Sequence, residues 1–371
     1  MTPRIHGGPD ALGVPRFDFS TNSNACGPCP IAVAAVQQAD ATRYPDASYA
    51  ALRAQLAQFH GVDAWRVVLA GSASEFIFRI TACVAQRVNG GNGLAQRGEI
   101  AGMGLRQGRV YLPPHSYGDY AQAAQAWGLA AIPQAEDAQL VWVCEPSSPL
   151  GGAHALWPLD LRNTHQNQGS SSGQSTSLQA KTVHPELDEG FSDVRRTPLV
   201  LDRAYEPLRL SGQPSLTDDQ LAQVWQMWTP NKALGLTGVR AAYAIAPLGS
   251  DETVTALERL CPSWPVGAHG VAMLQAWVQP DVQTWLAGSL LTLRDWKARQ
   301  IKLLQALGWH CLTSEANFFC ARPAPGCNLT QLRTAGIKLR DTTSFGLPGH
   351  VRLGVLPPEA QDALALALQG N

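Results

Sequence analysis

Lysine is scarce in this 371-residue chain: Lys181, Lys232, Lys297, Lys302 and Lys338 are the whole set. An excess of either charge is also lacking. Lys and Arg number 28 against 29 Asp and Glu, a net charge of -1. Broad electrostatic binding to nucleic acid or to an anionic membrane is therefore not expected. No apolar run approaches the roughly 18 residues that a membrane helix needs. The opening Met1-Thr2-Pro3-Arg4-Ile5-His6-Gly7-Gly8 has no apolar stretch, so no export leader is expected and the cytosol is the expected compartment. The eight cysteines then read as reduced and often buried. No repeat at solenoid periods is visible.

What is present is an ordinary globular balance, 45% hydrophobic and 15% charged. Wholesale disorder, collagen and coiled coil do not fit it. The length suits one large domain or two coupled ones. Two stretches look inserted, near 89–108 and 163–193. The first is rich in glycine but does not match G-x-G-x-x-G in register. The second carries Gln-Gly-Ser-Ser-Ser-Gly-Gln-Ser-Thr-Ser, the composition of a flexible surface loop.

Elsewhere, short apolar runs alternate with amphipathic stretches. Ala51–His60 has helical periodicity. Val67–Ala70, Arg109–Leu112, Leu140–Cys144, Leu199–Leu201 and Ala241–Ala246 read as buried strands. Such alternation predicts an α/β fold with a mostly parallel sheet flanked by helices. Phe318–Ala321, Ile337–Leu339 and Val351–Val355 predict a smaller α+β unit at the C-terminal end. Leu290–Leu307 reads as a long polar-faced helix that could join the two. The expected division is an N-terminal segment at 1–40, a large unit at 41–285 and a small one at 286–371.

Among the lysines, Lys181 falls in the polar insertion. Lys297 and Lys302 lie on the long helix, where a solvated face is expected. Lys338 belongs to an alternating strand near Arg340. Lys232 differs. It follows the strand-like Val224–Trp228 and sits among small residues in Thr229-Pro230-Asn231-Lys232-Ala233-Leu234-Gly235, with Arg240 eight positions on. A lysine in a tight, partly apolar turn is a candidate amine nucleophile. A plain loop lysine at a strand end is the competing view.

With that segment the chain resembles the fold-type I pyridoxal-phosphate enzymes of the class I/II aminotransferase family, in the branch of histidinol-phosphate aminotransferases and threonine-phosphate decarboxylases. The resemblance implies pyridoxal 5′-phosphate as cofactor, a Schiff-base lysine at Lys232, and cofactor-phosphate ligands at Thr229 and Arg240. Val200-Leu201-Asp202-Arg203-Ala204-Tyr205 resembles the family strand whose aspartate pairs with the pyridinium nitrogen. Asp202 would do so here, and Tyr205 would meet the ring's O3′. Gly71-Ser72-Ala73-Ser74-Glu75 is similar to the family's turn into a helix, where Ser72, Ala73 and Ser74 would hold the cofactor phosphate. Pro114-His115-Ser116-Tyr117 implies a ring-stacking role for Tyr117. Arg43-Tyr44-Pro45-Asp46 implies that Tyr44 reaches the cofactor phosphate of a neighbouring subunit, and hence a homodimer with shared sites. Gly349-His350-Val351-Arg352-Leu353-Gly354 implies that Arg352 binds the substrate carboxylate. Arg340 would face a distal phosphate. One departure stands out. Glu145-Pro146-Ser147-Ser148-Pro149 replaces the usual Pro-Asn-Asn-Pro run, so Ser148 stands where an Asn normally meets O3′.

The N-terminal His6-Gly7-Gly8 and Asp18-Phe19-Ser20-Thr21-Asn22-Ser23-Asn24 resemble the threonine-phosphate decarboxylase pattern, which would put His6 and Asn22 near a substrate phosphate. The sequence thus leans to decarboxylation of a phosphorylated amino acid in cobamide synthesis. Transamination of the histidinol-phosphate type is the alternative. Two rivals come from other classes. Cys26-Gly27-Pro28-Cys29 has the spacing of a redox pair, but no second Cys-x-x-Cys completes a zinc site, and no metal is expected. A binding protein that kept the fold and lost the reaction would draw its support from Ser147-Ser148.

Overall fold

The computed structural model describes residues 7–90, 107–154, 157 and 197–369. Both insertions lie almost wholly outside the described residues, as do His6 and Lys181. The first third runs β1 (Phe17–Asp18), α1 (Pro30–Gln37), α2 (Ala50–His60), β2 (Val67–Ala70), α3 (Ala73–Gly90), β3 (Arg109–Tyr111), α4 (Gly118–Ala126), β4 (Ala130–Ile132) and β5 (Leu140–Cys144). The middle adds β6 (Leu199–Asp202), a one-turn α5 (Asp218–Leu221), β7 (Trp225–Trp228), β8 (Ala242–Ile245), α6 (Asp251–Arg259) and α7 (Ala268–Trp277). The remainder is α8 (Pro280–Ala306), β9 (His310–Cys311), β10 (Phe318–Arg322), α9 (Leu329–Thr334), β11 (Ile337–Lys338), β12 (Arg340–Asp341), β13 (Val351–Gly354) and α10 (Pro358–Gln369).

A seven-stranded sheet has the order β2-β8-β7-β6-β5-β3-β4. Its strands run parallel except β8, which pairs antiparallel with both β2 and β7. The strands are apolar on both faces because helices cover both faces. Val68 and Ala70 pack with Phe76, Ile80 and Leu257 on one side. Val67 and Leu69 pack with Leu52, Leu56 and Met273 on the other. This is the α/β architecture expected. The smaller sheet is antiparallel, in the order β12-β13-β10-β9, and β1 pairs parallel with β11 alone.

Strand limits differ from expectation by a residue or so. β3 stops at Tyr111, β8 is one residue shorter at each end, and β11 stops before Leu339. The long helix differs more. Pro280 occupies its first turn, where a missing N–H costs nothing, so α8 starts well before Leu290. Lys297 on that helix is buried, not on a solvated face. Its Nζ donates to the carbonyls of Ser314 at 2.5 Å and Ala316 at 2.7 Å. Burial pulls its ammonium down from 10.5 to about 8, with the nearby Glu315 charge opposing. Lys302, one turn further on, is exposed as expected.

Candidate active site

In an open parallel sheet, ligands bind beyond the carboxyl ends of the strands, where loops diverge. Here β2, β5, β6 and β7 end at Ala70, Cys144, Asp202 and Trp228 on one edge, and antiparallel β8 begins there after Arg240. A cavity of about 1330 Å³ opens above that edge. Its wall includes Ser72, Ala73, Ser74, Tyr117, Ser148, Asp202, Tyr205, Thr229, Lys232 and Arg240 from the large sheet's loops. Asn22, Arg340 and Arg352 come from elsewhere in the chain. Thirteen residues singled out in the sequence therefore meet in one space. Tyr44 does not join them in its own chain. It is 79% exposed and stacks on Trp264 at 4.4 Å between centroids.

Asp202 closes β6 at the cavity floor and is 5% exposed. Its Oδ2 accepts from the Tyr120 hydroxyl at 2.6 Å and its Oδ1 from the Ala204 N–H at 2.9 Å. Burial raises the Asp202 carboxyl above its ordinary value, against the pull of those donors and of the Lys232 charge. A buried acid with that tendency is stabilised in its charged form when a cation lies beside it. Burial likewise raises the Tyr120 phenol, and the Asp202 charge adds to it. The sequence had pointed to Tyr117; the role of Tyr120, three positions on, was missed.

Lys232 sits in the loop between β7 and β8, and its Nζ lies 5.2 Å from the Tyr205 ring centroid. The loop is held by the N-terminal segment. The Asn24 N–H donates to the Lys232 carbonyl at 2.9 Å, and Asn24 Nδ2 to the Ala233 carbonyl at 3.0 Å. The Cys29 N–H donates to the Leu234 carbonyl at 2.9 Å. Gly235 has φ +70°, and a Cβ there would lie 2.8 Å from the Pro28 Cα, so only glycine lets the two segments approach. Cys26 and Cys29 thus belong to the clamp on the lysine loop. Cys29 is buried, and the Cys26 thiol faces the Ser289 carbonyl at 3.6 Å. Asn24, only 3% exposed, was not predicted from sequence as part of the site; its place in an Asn-rich stretch next to the clamp was the available signal.

On the opposite side, Ser72 caps α3 by accepting from the Glu75 N–H at 3.1 Å. The first-turn amides of α3 have no intrahelical acceptor and carry the positive end of the helix. Ser74 Oγ lies 3.3 Å from the Tyr117 hydroxyl. Thr229 is buried, and its Oγ1 has no partner among the described residues. An orphaned hydroxyl, a helix N-terminus and Arg240 on one cavity wall fit a phosphate. Asp202 fits a ring nitrogen, and Lys232 supplies an amine to the same cavity. The residues present therefore suit pyridoxal phosphate.

The third wall is cationic. Arg340 and Arg352 are register partners on β12 and β13 and are 5% and 7% exposed. Neither is an exposed strand arginine. Arg340 Nη2 donates to Ser344 Oγ at 3.0 Å. Arg352 Nη1 donates to Ser148 Oγ at 3.1 Å and Nη2 to the Ser20 carbonyl at 3.3 Å. Burial pulls Arg340 below its ordinary value, and the Arg352 charge adds to this. Two guanidiniums side by side favour an anionic occupant. Asn22 Nδ2 donates to the Tyr205 hydroxyl at 3.4 Å, so the structure ties it to Tyr205.

Comparison with known proteins agrees with this geometry. Residues 190–368 match the family model described as aminotransferase class I and II. A histidinol-phosphate aminotransferase of Jannaschia sp. is 26% identical over 94% of this chain and 89% of its own length. Among solved structures, histidinol-phosphate aminotransferase from Sinorhizobium meliloti, in complex with pyridoxal-5′-phosphate, superposes with a TM-score of 0.71 at 20% identity, covering 99% of this chain and 94% of that one. L-threonine-O-3-phosphate decarboxylase from Porphyromonas gingivalis gives 0.68 at 16% identity, covering 95% and 98%. Over nearly its whole length the chain is thus similar to class I and II aminotransferases, whose pyridoxal-phosphate cofactor the residues of the cavity suit. Among the described residues, no helix is long and apolar enough to cross a membrane.

Proposed function

We propose that this enzyme is a transaminase of the histidinol-phosphate type, moving an amino group between a phosphorylated amino compound and a 2-oxo acid. The observation that carries this is the meeting of Lys232, Asp202 and the Arg340–Arg352 pair in one cavity. The curated relatives, named as histidinol-phosphate aminotransferases, weigh the same way. They favour transamination over the decarboxylation to which the sequence leans. When bound, pyridoxal phosphate supplies an aldehyde for the amine and a ring that takes up the electron pair released at the substrate's α carbon.

This chain's residues then have distinct tasks. Asp202 keeps a proton on the ring nitrogen, and Tyr120 fixes the carboxylate. Lys232 Nζ would hold the cofactor's aldehyde and would serve as the general base that carries the α proton. Tyr205 donates to the ring oxygen. Tyr117 covers a ring face. Ser72, Ala73, Ser74, Thr229 and Arg240 hold the cofactor phosphate. Arg352 takes a carboxylate and Arg340 a distal phosphate. Tyr44 completes the site of a second copy in a homodimer, with its exposed ring available for that contact. We further propose the division at 1–40, 41–285 and 286–371, supported by the separation of the large and small sheets.

Decarboxylation of threonine phosphate is the second reading, favoured by the 18–24 segment and by the Porphyromonas gingivalis likeness. The test is to incubate the enzyme with histidinol phosphate and 2-oxoglutarate, and separately with threonine phosphate alone. Amino exchange that depends on the oxo acid, without CO₂, is expected. CO₂ release from threonine phosphate without exchange would overturn the proposal.

A further inference from the structure

Ser148 faces the cavity from the loop after β5 and is 6% exposed. Its neighbours hold it firmly. The Ser147 N–H donates to the Gly152 carbonyl at 2.8 Å, and Cys320 Sγ meets the Pro149 carbonyl at 3.1 Å. Its Oγ accepts from Arg352 Nη1, while Nη2 is taken by the Ser20 carbonyl. The guanidinium also lies 5.5 Å from the Phe318 ring centroid and 5.4 Å from that of Phe345. Its rotation is thus restrained by two acceptors and two rings. Arg352 Nε is buried and has no partner among the described residues. A hydroxyl that accepts from a guanidinium keeps its own proton to donate elsewhere.

We propose that Ser148 is a positioning residue for Arg352, not a partner of the cofactor ring. It fixes the guanidinium so that Nε–H remains for an incoming carboxylate oxygen. The ring-oxygen side has a separate amide, since Asn22 Nδ2 reaches the Tyr205 hydroxyl. The sequence departure at 148 therefore exchanges a contact with the cofactor for control of the anion site. This inference rests on the pyridoxal-phosphate reading above for the role of the ring.

The test compares wild type with Ser148→Ala and Ser148→Thr by two measurements. Binding of acetate and of 2-oxoglutarate is followed by calorimetry, with and without added pyridoxal phosphate. The pH titration of visible absorbance is followed on the loaded protein. Ser148→Ala is expected to weaken anion binding about tenfold, the loss of one charge-assisted hydrogen bond. Ser148→Thr, which keeps a hydroxyl, is expected to restore it, with the absorbance titration unchanged in both. Unchanged anion binding in Ser148→Ala, a displaced absorbance titration, or a wild type that takes neither anion would each overturn the proposal. A protein that never takes up pyridoxal phosphate would instead overturn the functional reading and leave the anion result standing.

Discussion

Asn24 is the residue through which the N-terminal segment grips the lysine loop, and removing its side chain should loosen that grip measurably. Its Nδ2 donates to the Ala233 carbonyl at 3.0 Å and to Ser289 Oγ at 2.8 Å, and its Oδ1 accepts from the Cys26 N–H at 3.1 Å. Asn24→Ala leaves a buried carbonyl and a partly buried N–H without these partners. At about 1 kcal/mol for each lost bond, the total is about 3 kcal/mol. For a chain of this length that corresponds to a fall of about 4 °C in Tm. The backbone bond from Asn24 to the Lys232 carbonyl survives in the variant, so the fold holds while the loop gains freedom. A reacting amine displaced by about 1 Å can cost about a hundredfold in rate, so kcat should fall more than KM rises. Asn24→Asp should be worse than Asn24→Ala, because a carboxylate oxygen would then face the Ala233 carbonyl. Calorimetric melting and steady-state kinetics of the purified variants are the assays. A Tm within a degree of wild type with kcat intact would refute the clamp, as would an Asn24→Asp variant that outperforms Asn24→Ala.

Lys297→Met should destabilise by about 2–4 kcal/mol, because the Ser314 and Ala316 carbonyls lose a buried donor. The folded value of Lys297 lies near 8, below the ordinary 10.5, so burial of its charge costs most below pH 8 and the cost fades as pH rises. The stability gap between wild type and Lys297→Met, read from urea midpoints, should therefore widen from pH 8 to pH 10; a gap that narrows contradicts the assignment. Asp202 is raised in the folded chain, so in cofactor-free protein its contribution is present below the unfolded carboxyl range and is lost as pH rises through the folded value. Asp202→Asn can still meet the Ala204 N–H through its oxygen and the Tyr120 hydroxyl through its amide. Cofactor-free Asp202→Asn should therefore be more stable than wild type at pH 7.5 while binding pyridoxal phosphate more weakly. A less stable variant would show that the charge is satisfied without a ligand.

How much the sequence disclosed depended on how local the signal was. β2, β5 and β6 could be read directly because both faces are apolar, and Lys232 stood out because lysine is rare and its turn is crowded with small residues. Asp202, Thr229 and Arg240 were implied by the family resemblance, through short motifs that each lie within one strand or loop. Contacts made across long separations could not be read this way. Tyr120 meets Asp202 across 82 positions, and Asn24 meets Ala233 across 209. Lys297 misled because a helix rich in Arg and Gln resembles a solvated face, whereas its partners are backbone carbonyls, which no side-chain pattern reveals. At Ser148 the departure from the family was plain, but its new partner lies 204 residues away.

The central claim is that Lys232 is the amine that carries the cofactor. Borohydride reduction of the enzyme loaded with pyridoxal phosphate, followed by peptide mass mapping, tests it most directly. The account predicts a pyridoxyl group on the peptide containing Lys232, and none in Lys232→Ala. A pyridoxyl group on Lys297, Lys302 or Lys338 with Lys232 unmodified would contradict it.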